Sequence, residues 1–258
     1  MLIIPVTDPD DERIELYRHV KDRDLTGRAG LFMAEGQVVL ERLFTSPLCE
    51  TISVLTTEAR LKALKFPTDF KAPVYVLAQS LMDEVAGFPI HRGYLALGRY
   101  RPPQSLGEVL NRPQSRLLVL SQIANVDNMG AMFRNAAAFG IEAILLDKEC
   151  CDPLYRKAIR VSVGGVFTLP HYRCDDILKT LAQHKLTAYA LSPRGAHELK
   201  TLRPEPRSAF IFGAEGPGLK DDILNGCESV KIPMSGGFDS LNVATTAAIV
   251  LYQVMSSN

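Results

Sequence analysis

The chain reads as an α/β protein in two parts, a small mixed α/β domain followed by a larger, mostly parallel α/β sheet. Three observations predict this. Short apolar runs alternate with segments of helical periodicity over the last 140 or so residues, as in a parallel sheet covered on both faces. Before them, the elements are shorter and less regular. Between the two parts lies RYRPPQSLGEVLNRPQS (99–115), rich in Pro and polar residues, where Pro102-Pro103 favours an extended chain. The boundaries drawn are residues 1–105 for the first domain, 106–115 for a linker with a short helix near 106–110, and 116–258 for the second domain.

In the first domain, residues 11–20 suggest a helix, 32–36 a strand end, and 37–43 a helix with apolar residues at helical spacing. Residues 52–55 and 74–77 read as strands, 79–86 as helix, and 93–97 as the closing strand. In the second domain the expected strands are 116–120, 144–146, 167–169, 187–191, 209–212 and 230–232. The expected helices are 129–139 (ended by Gly140), 153–162, 177–184, 219–225 and a final apolar helix over 243–254. In sheets of this kind sites lie beyond the strands' carboxyl ends. Loops 121–128, 213–218 and 234–240 fall there.

At 258 residues and 47% hydrophobic the chain can bury a sizeable core. Lys plus Arg and Asp plus Glu balance at 29 each, so net charge gives no hint of nucleic acid, although a local basic patch is compatible with it. The N-terminal MLIIPV run lacks a basic flank and is too short for a signal peptide or a membrane span. Five cysteines without CxxC or Cys/His spacing argue against a metal site and for thiols in a reducing cytosol that act as small apolar groups.

Three motifs carry the chemistry. The first is NMGAMFRNAAAFG (128–140). Asn128 suits a helix N-cap, and Arg134 lies among small and apolar residues, either as a surface side chain or as an anion contact. The second, FGAEGPGL (212–219), runs from a strand through a glycine-rich turn. It has neither GxGxxG spacing nor the Lys-Ser/Thr ending of a P-loop, and alone it reads as an ordinary turn with Glu215 solvated. The third is IPMSGGFDSLNVATTAAI (232–249), in which Ser240 or Asn242 caps a helix or serves a site.

Together, in this order and spacing, the three motifs resemble the SpoU (TrmH-like) branch of the SPOUT RNA methyltransferases over roughly residues 114–258. GLFMAEGQVVLERLF (30–44) and HRGYLAL (91–97) resemble the substrate-binding domain attached to many members, which is similar to a ribosomal RNA-binding protein. Where members often show Asp-Pro before the first-motif Asn, this chain has Asn125-Val126-Asp127, and Thr245-Thr246 is a further variation. The resemblance implies a deep C-terminal trefoil knot, a rare exception to chain-connection rules. It also implies S-adenosylmethionine as cofactor, a ribose 2′-hydroxyl in tRNA or rRNA as acceptor, a cytoplasmic location, and a homodimer packed through the knotted domain. No membrane and no metal enter. By position, Gly213, Ile232 and Leu241 would contribute to the cofactor pocket, with Ser192, Gly218 and Met234 nearby. Arg134 would be the essential residue, either a general base or a clamp on phosphate and alkoxide. Asn128 and Asn242 would orient Arg134 or the ribose, Ser240 would hold the phosphate or the 2′-hydroxyl, and Glu215 would support the loop or Arg134. Arg18, Lys21, Arg23, Arg28 and Arg92 are candidate RNA contacts in the first domain. The rival readings are a non-catalytic RNA-binding relative of the same fold and a nucleotide-dependent enzyme of an open parallel sheet. Against the second stands the missing GxGxxG.

Overall fold

A computed structural model describes residues 1–18, 25, 30–90, 93–101, 105–237 and 240–255. The chain divides into two compact units, Met1–Pro103 with Asp152–Thr168, and Gln104–Cys151 with Leu169–Asn258.

The first unit is built on a five-stranded sheet. Its strands are β1 (Leu2–Pro5), β2 (Leu31–Glu35), β3 (Cys49–Thr56), β4 (Pro73–Val76) and β5 (Tyr94–Tyr100), in the order β1-β4-β3-β5-β2. The β1/β4 and β3/β4 pairs are parallel, whereas β5 is antiparallel to β2 and β3. The N-terminal apolar run is thus an edge strand, missed because its partner strand β4 lies far along the chain. The helix expected over 11–20 is a 3-10 helix, Glu12–Tyr17, started by Asp11, whose side chain accepts from Arg13 N. Tyr17 is buried there. Its hydroxyl pairs with Ser53 Oγ at 2.8 Å and accepts from Leu97 N at 3.2 Å, so a buried polar group keeps its partners.

Asp152–Thr168 packs in this unit, although the boundary drawn from sequence puts it in the second domain. It holds the helix Arg156–Val161, and Phe167 stacks on Phe32 with ring centroids 5.0 Å apart. Arg42 Nη1 donates to Val163 O at 2.8 Å, and Ser46 Oγ to Phe167 O at 2.7 Å. Glu35, buried at the end of β2, faces Arg156 and Arg160 at 3.7 Å each.

The second unit carries seven strands: β6 (Ser115–Leu120), β7 (Ala143–Leu146), β8 (His171–Arg173), β9 (Thr187–Leu191), β10 (His197–Glu198), β11 (Arg207–Phe212) and β12 (Glu228–Lys231). Their order is β10-β12-β9-β11-β6-β7-β8, and every neighbouring pair is parallel. The central strands β6, β7 and β11 are buried almost throughout, which explains why they read as continuous apolar runs rather than alternating ones. The strand expected over 167–169 is displaced. Gly164, at φ 76°, turns the chain into a 3-10 helix, Gly165–Phe167, and pairing resumes only after Pro170, at His171.

Two helices frame the motifs. Val126–Ala138 follows β6, and Val243–Met255 packs against it, with Asn135 Nδ2 donating to Ala244 O at 2.8 Å. The first begins earlier than expected. Its N-cap is Asn125, not Asn128, and the Asn125 Oδ1 accepts from the amides of Asp127 (2.8 Å) and Asn128 (3.2 Å). Chain order runs outward from β6 through β7 to β8 and then returns to the other side of β6. That reversal is the kind of switch point at which parallel α/β sheets bind ligands.

Candidate functional site

A cavity of about 640 Å³ opens in the second unit at the carboxyl ends of β9, β11 and β12. Each strand delivers one wall. Past β9 comes Ser192, whose amide donates to Val230 O at 2.9 Å. Past β11 comes the turn 213–218, and past β12 come Ile232 and Met234. The segment Ser240–Val243, at the start of the last helix, closes the fourth side.

The glycine turn is folded back on itself. Gly218 N donates to Ala214 O at 3.1 Å, and Gly218 takes φ 73°. A Cβ on Gly213 would stand 2.4 Å from the Gly218 carbonyl carbon, so only glycine allows the two backbone segments to meet. The cavity therefore presents main-chain groups beside apolar side chains such as Leu191, Ile232 and Leu241.

All six residues assigned to the cofactor from the resemblance (Gly213, Ile232, Leu241, Ser192, Gly218 and Met234) line this cavity. Of the five assigned to catalysis, Glu215, Ser240 and Asn242 line it too. Asn128 joins them through a hydrogen bond. Asn242 Oδ1 caps the last helix, accepting from Ala244 N (2.9 Å) and Thr245 N (3.2 Å). Its Nδ2 consequently points the other way, donating to Asn128 Oδ1 at 3.0 Å and to Glu215 Oε1 at 2.9 Å. One amide thus ties the three motifs together. Asn128 is buried, so the bond from Asn242 satisfies an acceptor withdrawn from water.

Arg134 stands apart. It is six residues beyond Asn128 on the same helix, which turns it about 120° away. Its side chain is exposed and does not line the cavity. In the first unit Arg18 is engaged locally, 3.5 Å from Asp10 and donating to Asp11 O at 3.1 Å. Lys21, Arg23, Arg28 and Arg92 lie outside the described residues. Sequence reasoning missed Phe212, Arg194 and Thr246, which also line the cavity. Their position at or just past the end of a strand, or one turn into a helix, was the available signal.

The cysteines are free, and burial pushes the Cys49 and Cys150 thiols up to about 12 and those of Cys174 and Cys227 to about 11. These four are protonated at neutral pH and weak as nucleophiles. Among the described residues no group of His, Cys, Asp and Glu could hold a metal ion, and no helix is long and apolar enough to cross a membrane.

A parallel α/β unit with a glycine-rich cavity beyond its strand ends, bordered by clustered Asn and Glu side chains, has the layout of a small-molecule site. Comparison with known proteins makes this specific. Residues 115–252 match the SpoU rRNA Methylase family. A Mycobacterium bovis protein named as an uncharacterized tRNA/rRNA methyltransferase is 36% identical, over 96% of this chain and 90% of its own. The 23S rRNA (guanosine-2′-O-)-methyltransferase RlmB of Acinetobacter baylyi is 30% identical, over 74% of this chain and 82% of its own. A solved RNA 2′-O ribose methyltransferase superposes with a TM-score of 0.76 at 26% identity, covering 98% of this chain and 97% of that one. The chain belongs to the SpoU rRNA methylase family.

Proposed function

We propose that this chain methylates a ribose 2′-hydroxyl in tRNA or rRNA, using S-adenosylmethionine. The observation that carries the reading is the junction of Asn128, Glu215 and Asn242 at the rim of the cavity. The cavity suits the cofactor. About 640 Å³ is within the range of small-molecule sites, its apolar walls suit an adenine and a thioether, and its main-chain groups can read polar edges.

When bound, the cofactor supplies an activated sulfonium methyl. Gly213, Ile232 and Leu241, with Ser192, Gly218 and Met234, hold it by backbone and apolar contact. What remains for the protein is alignment of the acceptor hydroxyl and stabilisation of its developing charge. Asn128 and Asn242 orient the ribose, Ser240 holds the adjacent phosphate or the hydroxyl, and Glu215 fixes the Asn242 amide. Arg134 acts as a clamp on phosphate and alkoxide, since a charged guanidinium offers donors and no acceptor. Its exposure fits an assembly in which it serves the site of the partner subunit. The chain works as a homodimer packed through the two framing helices, where Ile249 and Tyr252 are exposed. Its C-terminal segment threads a trefoil knot, the first unit grips folded RNA by phosphate and shape contacts, and the protein acts in the cytoplasm without metal or membrane.

The test is transfer of labelled methyl groups from S-adenosylmethionine to total cellular RNA, with 2′-O-methyl sites mapped in the presence and absence of the gene. Loss of a mapped 2′-O-methyl site with the gene supports the reading. Absence of both transfer and cofactor binding would favour a non-catalytic RNA-binding relative.

A further inference from the structure

The loop after β7 makes contacts that none of the three motifs accounts for. Asp147, the first residue past β7, has its whole carboxylate engaged. Its Oδ2 accepts from Ser121 Oγ at 2.8 Å and from Gln122 N at 2.9 Å, both on the loop after β6. Its Oδ1 accepts from Glu149 N at 3.0 Å and Cys150 N at 2.9 Å, on its own loop. One side chain therefore joins two loops that the sheet alone leaves side by side.

The grip falls where the backbone needs it. Gln122 takes φ 60°, a left-handed conformation that is uncommon for a residue with a side chain. The bond from its amide to Asp147 holds it there. On either side of this point the loop is tied further, since Ser121 N donates to Phe212 O at 2.9 Å and Cys151 N to Ile123 O at 2.9 Å. Arg173 buttresses the brace from β8, donating to the carbonyls of Asp147 (3.0 Å) and Cys150 (3.1 Å). Glu149 extends the same loop in the other direction. It accepts from Gln122 Nε2 and, at 3.0 Å, from Lys220 Nζ, two residues past the glycine turn. These two partners, Gln122 first, hold its carboxyl below the usual range.

Three residues beyond Gln122, Asn125 caps the helix that carries Asn128, and Asn128 accepts from Asn242 at the cavity rim. We infer that Asp147 is a positioning residue for methyl transfer. It acts through Ser121 and Gln122 to set the height and direction of the Asn128 helix, while Glu149 and Lys220 hold the same loop to the turn that carries Glu215. This rests on the reading given under the proposed function, because it names a residue that serves that reaction without touching its reactants.

Asp147→Asn retains acceptors for part of this set and replaces one oxygen with a donor that opposes the Gln122 amide. Ser121→Ala removes a single bond and is the milder probe, and it guards against misfolding of the first. Both are assayed beside wild type for kcat, KM for each substrate, melting temperature, and hydrogen exchange of the segment 121–128. The expected result is a fall in kcat of about tenfold for Asp147→Asn, with both KM values within about twofold of wild type, and a smaller fall for Ser121→Ala. Exchange in 121–128 rises in the same order while the β6 and β11 amides stay protected. The inference is overturned if kcat in both folded variants stays within about twofold of wild type. It is equally overturned if the loss appears in KM alone or merely tracks the fraction unfolded. Inactive wild-type protein would instead overturn the functional reading, and with it this inference.

Discussion

Replacing Asn242 separates the two tasks that its side chain performs. In Asn242→Ala, the last helix loses its cap on the amides of Ala244 and Thr245, a loss of about 1 kcal/mol. The substitution also leaves Asn128 Oδ1 without the bond from Asn242, and a buried acceptor so stripped costs about 1–3 kcal/mol. The bond to Glu215 adds little, because that carboxylate is exposed and rehydrates. The sum is about 2–4 kcal/mol, or a fall in melting temperature of roughly 5–15 °C. Asn242→Asp keeps an acceptor for the cap but sets a carboxylate against Glu215 and Asn128 Oδ1, both acceptors. It keeps the cap, worth about 1 kcal/mol, but loses part of that to the opposed acceptors, while methyl transfer falls at least as far as in Asn242→Ala. Thermal melts followed by circular dichroism, with kcat measured on the same preparations, check both halves. If Asn242→Asp transfers methyl groups at the wild-type rate, the bridge to Asn128 and Glu215 plays no part in the reaction. If Asn242→Ala melts at the wild-type temperature, the capping argument is wrong.

Gly213→Ala should lower cofactor affinity by about tenfold or more, because its Cβ meets the Gly218 backbone at 2.4 Å and forces the turn open. Titration calorimetry with S-adenosylmethionine reads this, and unchanged affinity would show that the turn is not part of the pocket. Arg134→Ala should reduce transfer by about a hundredfold or more with cofactor affinity within about threefold, since the residue is exposed away from the cavity. Mixing Arg134→Ala with Asn242→Asp protomers should restore part of the activity if Arg134 serves the partner's site, and no recovery argues for action within one chain. His171 is buried, and burial lowers its pKa from 6.5 to about 4, opposed by its bond to Leu169 O. The unfolded chain therefore binds the extra proton between about pH 4 and pH 6.5, so the contribution of His171 is full above pH 6.5 and lost as pH falls toward 4. Melting temperature followed from pH 7 to 4 should drop less steeply in His171→Phe, which keeps the edge-to-face contact with Phe133, than in wild type.

Much of the second unit was legible because its strands are buried on both faces and so read as apolar runs. The 209–212 expectation falls on β11 for that reason, whereas β9, expected at 187–191, buries only Tyr189 and Ala190 fully. Elements set by distant pairing were not legible. β1 exists because of β4, about 70 residues away, and β10 is a two-residue strand held at the sheet edge by β12. The strand expected at 167–169 failed because a left-handed glycine and Pro170 displaced the pairing by a few residues. Within the site, spacing placed the loops 213–218 and 234–240 past strand ends, and the family resemblance named the individual residues that line the cavity. Spacing did not show that Asn242 would both cap a helix and bind Asn128, because that depends on two helices over a hundred residues apart packing together. The Asp147 brace was invisible for a related reason. An Asp just past a strand reads as a turn residue, and its partners on the β6 loop emerge only when β6 and β7 pair.

The most direct test of the account incubates the purified protein with deuteromethyl S-adenosylmethionine and RNA from cells lacking the gene, then digests the RNA and identifies the labelled nucleoside by mass spectrometry. A deuteromethyl group is expected on a ribose 2′-oxygen, reduced about a hundredfold or more with Arg134→Ala protein. Label on a base, or no label in the presence of bound cofactor, would contradict it.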